Sequence, residues 1–350
     1  MRITRIGYAL GVAAACAMFA GCSGNSSSLG PIAQGPIGPQ SIVRNHPAIA
    51  LPSSVLKLIG HPAPQYTGKS WAQPNLTGTL EYVCTFYSGT CNMYKKGHNT
   101  VVGTIVASYP NGVCVDSLGN FWEPDGGTGH VFEYAKGGTT VIDDLDNTSQ
   151  GQPSACAVDK NGTVYVGNIA SDTVSVYNVG ATTPSRVITV GAVTGGAGYV
   201  IGVAVDEHHL LAVSWVNFNT GNSGVDEFPK AHGTGHTVIN ETPGDFGGGV
   251  TFDNLENLVV NDQTAGTSTI YNGISFSACN AFATNSGDAV NGALSKNNLS
   301  ILEGDAVNTA AEQDTFGDCT GGGTLQKTYN AGLPSGGVVI GVATDPGQGI

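Results

Sequence analysis

Positively charged residues are scarce in this sequence. Its 350 residues contain 13 Lys and Arg against 26 Asp and Glu, which gives a formal net charge of −13. The few cationic residues are nowhere interleaved with aromatic ones in a basic patch. Because binding of a phosphate backbone requires a concentrated cationic surface, we expect no nucleic acid among the partners.

The sequence also lacks helical heptads, and charged residues of both signs make up only 11% of it. Glycine is abundant instead, with 52 residues. Frequent glycines predict frequent turns, and a surface with few charges must take its polarity from Asn, Ser and Thr. This composition favours one all-β domain.

The motifs of common catalytic sites are missing as well. Gly68-Lys69-Ser70 lacks the upstream glycine of a phosphate-binding loop, and Asp206-Glu207-His208-His209 is not an HExxH zinc motif. The GxSxG motif of serine hydrolases does not occur. His232 and His236 share a glycine-rich stretch, where we expect solvated side chains. The order of residues therefore offers no catalytic centre.

What the sequence does contain is a repeat. Residues 112–138 have the pattern of three short strands separated by turn residues, and the first strand ends in Asp116. The same arrangement, a short apolar run that ends in an anchor Asp, recurs about every 45 residues. The anchors are Asp116, Asp159, Asp206, Asp253, Lys296 in place of an Asp, and Asp345.

A repeat of this length with short strands is typical of a β-propeller blade, whose sheet needs neighbours on both faces. The last repeat has room for one strand only, whereas residues 77–106 provide three strands without a first. We therefore predict an all-β, six-bladed β-propeller over 77–350, in which Val338–Thr344 is the inner strand of a composite first blade and closes the ring. The other blades are predicted at 107–150, 151–198, 199–246, 247–289 and 290–336.

The pattern within a blade resembles that of the NHL-repeat propellers and of the related streptogramin-lyase-like and gluconolactonase-like propellers. It consists of GVAVD or a variant, a turn, GN, an apolar strand, and a further strand that ends in an aromatic residue. Residues 107–289 carry it, whereas 290–336 depart from it because Lys296 replaces the anchor Asp. The resemblance implies a six-bladed propeller. It does not imply one activity, since such propellers include enzymes, peptide binders and scaffolds.

Residues 1–22 resemble a bacterial lipoprotein signal. Arg2 and Arg5 form a basic start, an apolar stretch follows, and the segment ends in Phe19-Ala20-Gly21-Cys22, with Phe19 where Leu is usual. The resemblance implies lipidation of Cys22, a membrane anchor, and a place in the bacterial cell envelope, periplasmic or surface-exposed. Ser23 after the Cys favours the outer membrane. Ordinary secretion with cleavage nearby is the alternative.

Two segments separate this signal from the propeller. Residues 23–52 are rich in Gly, Ser, Pro and Asn without any period, which predicts a flexible tether. Residues 53–76 contain the apolar run Ser54–Gly60, which fits a short strand or a short helix packed on the propeller. The sequence does not decide between them.

Export to an oxidising compartment allows disulfides. Cys114 and Cys156 stand one position apart relative to their anchors, so that their side chains should point to opposite sheet faces. We therefore predict two free, buried thiols there rather than a bridge. The predicted bridges are Cys84 with Cys91, within one hairpin, and Cys279 with Cys319, in adjacent blades.

Two polar positions recur in the blades. The anchor Asp residues end a strand and enter a tight turn, where a carboxylate accepts backbone N–H groups, and we predict this structural role for all of them. The second position follows nine residues after the anchor and marks the end of the second strand. Its occupants are Asp125, Asn168, Trp215, Asp262 and, after Lys296, Asp305.

Closure of the ring could place Asp125, Asn168, Asp262 and Asp305 around the central channel. Four oxygen ligands there would suit Ca²⁺ or another divalent cation. The alternative is that each side chain caps its own hairpin loop by hydrogen bonding. Convergence of the four side chains on one point distinguishes the two possibilities.

Two functions are compatible with these observations. The first is a monomeric, lipid-anchored propeller that acts as a binding or scaffold module for a protein or glycan. The second is a metal-dependent hydrolase or lyase resembling the gluconolactonases or streptogramin lyases, with the four oxygen-bearing residues as its metal site.

Overall fold

Each repeat folds as an antiparallel sheet in this computed structural model, and the inner strands of the six sheets contact one another around a central channel. The structure describes residues 67–345 apart from 170, 192–197, 218–221, 241–246, 264–265 and 287–288. Residues 1–22 with Cys22, residues 23–52 and most of the segment 53–76 lie outside the described residues. The predicted fold, a six-bladed β-propeller, is confirmed.

Blades 2 and 3 each run along the chain from the inner to the outer strand. Blade 2 consists of β5 (Cys114–Val115), β6 (Phe121–Asp125), β7 (His130–Tyr134) and β8 (Val141–Asp146). Blade 3 consists of β9 (Pro153–Val158), β10 (Val164–Asn168), β11 (Thr173–Tyr177) and β12 (Arg186–Thr189). Strands of this length fit the short apolar runs between Gly, Asp and Asn turns.

The next three blades repeat this order. Blade 4 consists of β13 (Gly198–Val205), β14 (Leu211–Asn217), β15 (Asn222–Phe228) and β16 (His236–Asn240). Blade 5 consists of β17 (Gly247–Phe252), β18 (Leu258–Asp262), β19 (Thr267–Tyr271) and β20 (Ala278–Ala283). Blade 6 consists of β21 (Ala289–Leu294), β22 (Ser300–Asp305), β23 (Ala310–Phe316) and β24 (Gly322–Tyr329).

Blade 1 is composite, as predicted. Its inner strand β25 (Val339–Asp345) comes from the C-terminal end of the described chain and pairs antiparallel with β2 (Leu80–Thr85). Outside β2 follow β3 (Thr90–Lys95) and β4 (Val101–Val106). All residues of β25 are buried, so closure of the ring both buries an apolar strand and removes exposed sheet edges.

A fifth strand adds to blade 1. β1 (Trp71–Ala72) pairs antiparallel with the outer edge of β4 and thereby covers that edge. The sequence does not predict this strand within 53–76, because two residues carry no periodic signal. Short 3-10 turns occur at Thr148–Gln150, Pro229–Ala231 and Asp318–Thr320. No helix in the described part of the chain is long and apolar enough to cross a membrane.

Apolar side chains fill the joints between neighbouring blades. Between blades 1 and 2, the rings of Tyr82 and Phe121 stack with centroids 4.3 Å apart, and both side chains are fully buried. Leu80, Met93 and Tyr134 belong to the same cluster. Burial of each such side chain contributes about 1.5 to 3 kcal/mol, so the joints hold the ring together.

The anchor Asp residues take the predicted place in the turns. Asp116 Oδ1 accepts the backbone N–H groups of Leu118 at 2.9 Å and Asn120 at 2.8 Å. The carboxylates of Asp159, Asp206 and Asp253 accept the N–H groups at the same two positions of their own turns. Each carboxylate therefore satisfies two donors that the tight turn leaves unpaired.

In blade 6 the predicted anchor position was wrong by one residue. Ser295, rather than Lys296, occupies the anchor position, since its N–H donates to Ser300 O at 2.9 Å and its Oγ accepts the N–H of Ser300 at 3.1 Å. This turn is one residue longer than those of blades 2 to 5, which displaced the alignment by one position. In blade 1 the anchor Asp345 lies 2.5 Å from Lys136 Nζ of blade 2.

Three disulfides are present among the described residues. Cys84–Cys91 joins directly paired residues of β2 and β3, and Cys279–Cys319 links β20 of blade 5 to the loop before β24 of blade 6. Both are the predicted pairs. The prediction of two free thiols was wrong, because Cys114 and Cys156 form the third bridge.

The reason for this error lies in how blades pack. Cys114 lies on the inner strand β5 of blade 2, and Cys156 lies on the inner strand β9 of blade 3. Neighbouring blades face each other with opposite surfaces of their sheets. Side chains that point to opposite sheet faces therefore meet across a joint, and the one-position offset that argued against a bridge is what permits it.

Candidate functional site

The inner strands of all six blades line a central channel with a cavity volume of about 100 Å³. Its walls are mainly Val, Ala and Gly, and polar side chains come from Thr251, Asn291 and Thr344. Binding pockets for drug-sized ligands have volumes of about 300 to 1,000 Å³, whereas one water takes about 30 Å³. The channel therefore has room for a few water molecules and offers little chemistry to a larger substrate.

The channel is narrow because the backbones of neighbouring inner strands approach each other closely at glycine positions. A Cβ atom built on Gly202 would stand 2.9 Å from the Cα atom of Gly249, closer than real Cβ contacts come. A Cβ on Gly112 would stand 2.7 Å from Nδ2 of Asn291, whose side chain fills the space between these backbones. The equivalent position of the six blades is occupied by Gly112, Ala155, Gly202, Gly249, Asn291 and Gly341.

Asp125 and Asp305, two of the acids predicted to ring the channel, accept hydrogen bonds from backbone N–H groups of nearby loops. Asp125 Oδ1 accepts the N–H groups of Gly127 at 2.8 Å and Thr128 at 3.1 Å, and Oδ2 accepts that of Ser108 at 2.8 Å. Asp305 Oδ1 accepts the N–H group of Val307 at 2.8 Å. Each acid is the last residue of the second strand of its blade, so it is the nearest acceptor for the unpaired donors of the hairpin that follows.

The other members of the predicted ring also lie in separate blades. Asn168 accepts a hydrogen bond from Asn147 Nδ2 at 2.6 Å and donates to Thr173 and Ser175. Asp262 is half-buried at the end of β18, and the equivalent Trp215 donates its Nε1–H to Asp226 at 2.9 Å.

The carboxylates of the predicted ring do not converge. Within residues 67–345 as described, Asp125, Asp262 and Asp305 do not form a group whose ligand atoms approach within 4.8 Å of one another. The four-residue cation site, which also includes Asn168, stays a prediction. Asp125 and Asp305 each accept backbone N–H groups of the hairpin loop that follows them, as the capping alternative predicts, and Asp125 also accepts those of Ser108 and Tyr109 before β5.

A different group does bring together metal-ligating atoms. Asp206 and His208 from the first turn of blade 4 and Glu256 from the first turn of blade 5 offer one ligand atom each, all within 4.8 Å of one another. His208 Nδ1 lies 2.6 Å from Glu256 Oε1. Sequence reasoning missed this group because its members come from two repeats. The available signal was that His208 stands where the first turns of blades 2 and 3 have Leu and Asn, and Glu256 where they have Gly.

Four glutamates are buried among the described residues, and Glu312 on β23 is one of them. Glu81 on β2, Glu123 on β6 and Glu303 on β22 are almost completely excluded from solvent. Desolvation raises the pKa of Glu81 and of Glu303 to about 8 and raises that of Glu123 well above its usual range. None of them lines the channel. The sequence signal was a Glu inside an otherwise apolar strand, as in LEYVCT and SILEGD.

One end of every blade carries the loops that join the first strand to the second and the third to the fourth. We call the surface formed by these loops the loop face. Exposed apolar side chains concentrate on it, with the isobutyl group of Leu118 and the side chain of Ile274 79% and 93% exposed. The five most exposed large apolar side chains of the described residues all lie there: Leu118, Val179, Leu255, Ile274 and Leu299.

The loop face also collects the cationic side chains. Within the described part of the chain, every Lys and Arg other than Lys69 and Lys327 lies in or directly beside these loops. The cations there are Lys95, Lys96, Lys136, Lys160, Arg186, Lys230 and Lys296. An otherwise acidic protein thus presents its positive charge and its exposed apolar groups on the same face.

Comparison with known proteins supports the fold of this chain but no particular activity. No family model matches the sequence, and no curated protein matches it. A chain in the crystal structure of the nidogen/laminin complex is similar in structure, with a TM-score of 0.61 at 13% sequence identity. The similarity covers 76% of this chain and 98% of that chain. At this identity the likeness establishes a β-propeller and not a particular activity.

Proposed function

We propose that this protein is a binding module of the bacterial cell envelope, anchored by a lipid on Cys22, whose propeller holds a protein partner on its loop face. The observation that carries the proposal is the placement of the most exposed apolar side chains on that one face. Exposed apolar groups cost free energy in water, and their concentration on one face is typical of an interaction surface.

The chemistry of the loop face suggests the kind of partner. Leu118, Leu255 and Leu299 stand in the turns between the first and second strands of their blades, and lysines occupy other positions in the loops of the same face. A partner that fits must offer apolar pockets and an acidic surface, which favours a protein over a glycan. The similar propeller chain in the nidogen/laminin complex also belongs to a complex of two proteins.

The cell-envelope location rests on the signal and on the disulfides. Three bridges among the described residues fit an oxidising compartment outside the cytoplasm. The signal supplies Cys22 for lipidation, and residues 23–52 would let the propeller stand away from the membrane. A monomeric propeller on such a tether can turn its loop face toward a partner.

The metal-dependent hydrolase suggested by resemblance receives no support of its own. It depends on Asp125, Asn168, Asp262 and Asp305 sharing a cation, and their described contacts lie within separate blades. We therefore propose no second function.

A triple variant, Leu118→Ser with Leu255→Ser and Leu299→Ser, tests the binding surface. Chemical cross-linking in intact envelopes should trap the wild type with a partner in a product of defined mass, and the triple variant should lose that product. The matched control is Val307→Ser with Leu325→Ser, which removes partly exposed apolar groups away from these loops. A product that persists in the triple variant would contradict the proposed surface.

Mass spectrometry of the mature N-terminus tests the anchor separately. We expect a diacylglyceryl-modified Cys22 in the membrane fraction, and release of unmodified protein when Cys22→Ser is expressed. An unmodified N-terminus produced by cleavage elsewhere would overturn the anchor without touching the binding surface.

A further inference from the structure

The joint between blades 4 and 5 carries three side chains with metal-ligating atoms. Asp206 and His208 belong to the turn between β13 and β14, and Glu256 belongs to the turn between β17 and β18. One ligand atom from each lies within 4.8 Å of the others, and His208 Nδ1 is 2.6 Å from Glu256 Oε1. Loops of two blades thus meet with one nitrogen and two carboxylates.

We propose that Asp206, His208 and Glu256 form a binding site for a divalent transition-metal ion, best suited to Zn²⁺, which ties blade 4 to blade 5. An imidazole nitrogen with two carboxylate oxygens is a ligand set that first-row transition ions accept. Ca²⁺ takes oxygen ligands and fits this set less well. The site is distinct from the ring of acids considered around the channel, and it does not depend on the proposed function.

The carboxylate of Asp206 is positioned for this role. Within the described residues its hydrogen bonds from the N–H groups of His208 at 2.9 Å and Leu210 at 2.6 Å both fall on Oδ1. These bonds fix the carboxylate and leave Oδ2 as the oxygen that can reach an ion. Burial raises the pKa of Asp206, with the charge of Glu256 acting in the same direction. A cation between the two carboxylates would relieve that repulsion.

The negative charge of the group has no permanent counterion. Among the ion pairs of the described residues, none joins a Lys or Arg to Asp206 or Glu256. His208 is the one basic side chain in the group, and the two carboxylates outnumber it. The group therefore offers a divalent ion a net charge of opposite sign.

Glu256 also occupies a conformation that favours glycine. Its φ is 64°, and the equivalent positions in blades 2 and 3 are Gly119 and Gly162, with φ of 88° and 84°. A side chain with a Cβ atom is disfavoured at positive φ. The replacement of glycine by Glu places a carboxylate where it reaches His208 of the neighbouring blade.

The site is accessible to solvent. The side chain of His208 is 75% exposed and that of Glu256 is 40% exposed. Three protein ligands leave at least one coordination position of a tetrahedral ion to water or to a group from a partner.

The site can be tested on the purified full chain after removal of metal by EDTA. Calorimetric titration with Zn²⁺ and the visible absorption of bound Co²⁺ should give one site per chain. Glu256→Gln and His208→Leu should each weaken binding at least tenfold; Leu is the residue at this turn position in blades 2 and 5, so His208→Leu should preserve the fold. Zn²⁺ should raise the melting temperature of the wild type and not that of these variants.

Glu207→Gln is the matched control, since it removes an exposed carboxylate from the same turn without removing a ligand. Its affinity for Zn²⁺ should stay within twofold of the wild type. Absence of saturable binding, or binding that Glu256→Gln and His208→Leu leave unchanged, would overturn the assignment. So would equal losses in Glu207→Gln and Glu256→Gln, because the effect would then be one of net charge and not of ligation.

Discussion

Glu303 and Glu312 are directly opposite each other in the β22–β23 pair, and both are buried. Glu303 Oε1 accepts hydrogen bonds from Asn261 Nδ2 of blade 5 at 3.0 Å and from the Ser268 hydroxyl. The second oxygen of each glutamate, Oε2, has no hydrogen-bond partner among the described residues. Two ionised carboxylates on neighbouring strands of one buried sheet would repel each other, because little water is present to screen them.

The first prediction is therefore that the protein loses stability as the pH rises. Desolvation raises the pKa of Glu303 to about 8 and that of Glu312 to about 9, above the ordinary value near 4.5. The folded state thus holds protons that the unfolded state has released. The stabilising effect is complete below pH 4.5 and is lost as the pH rises through 8 to 9. We expect the free energy of unfolding to fall by several kcal/mol over this range, at about 1.4 kcal/mol per pH unit for each proton that the folded state retains.

Denaturant unfolding at a series of pH values measures this effect. Glu303→Gln with Glu312→Gln should make the pH profile less steep, because the amides are neutral in both states, while Glu81 and Glu123 keep their own contribution. The matched control is Glu207→Gln, which removes an exposed acid and should leave the slope in place. A wild type that is equally stable at pH 5 and pH 9 would contradict the burial of neutral acids between these blades.

The second prediction concerns closure of the ring. Deletion of 338–350 removes β25, whose seven residues are all buried, and leaves β2 and the neighbouring inner strands uncovered. Loss of Val339, Ile340 and Val342 alone forfeits about 1.5 to 3 kcal/mol each, a large part of an ordinary domain's stability. We expect aggregation in size-exclusion chromatography. A monomer with an unchanged melting temperature would disprove the composite blade.

The third prediction concerns the bridge that the sequence analysis missed. Cys114 and Cys156 are separated by 42 residues, and Cys84 and Cys91 by 7. By loop-closure entropy, Cys114→Ala with Cys156→Ala should cost about 4 kcal/mol and Cys84→Ala with Cys91→Ala about 2.5 kcal/mol. Denaturant titration of both variants measures the difference. Free thiols at 114 and 156 in a non-reducing peptide map would contradict the bridge itself.

The fourth prediction separates loop capping from metal binding at the end of β6. Asp125→Ala removes the acceptor for several backbone N–H groups and should cost about 2 kcal/mol, because charge-assisted hydrogen bonds are lost. The loss should be the same with Ca²⁺ and with EDTA. A loss that appears only when Ca²⁺ is present would support the cation ring.

The amino-acid sequence by itself determined the architecture of this protein. The anchor Asp, the short apolar runs and the turn glycines recur with the period of a blade, and each blade can bury its faces only against the next. The same logic assigned β25 to the first blade, since an incomplete repeat at each end makes one whole blade. These signals can be read from short stretches of sequence and from their spacing along the chain. They were therefore sufficient to predict the number of blades and the closure of the ring.

The tertiary structure decided which side chains meet between blades. Cys114 with Cys156, and His208 with Glu256, belong to different repeats, and their proximity depends on the angle at which one twisted sheet packs on the next. That angle depends on the packing of all side chains in a joint, and no short stretch of sequence encodes it. Asp125 and Asp305 share a position in the repeat, and each accepts N–H groups of the loop that follows it in its own blade.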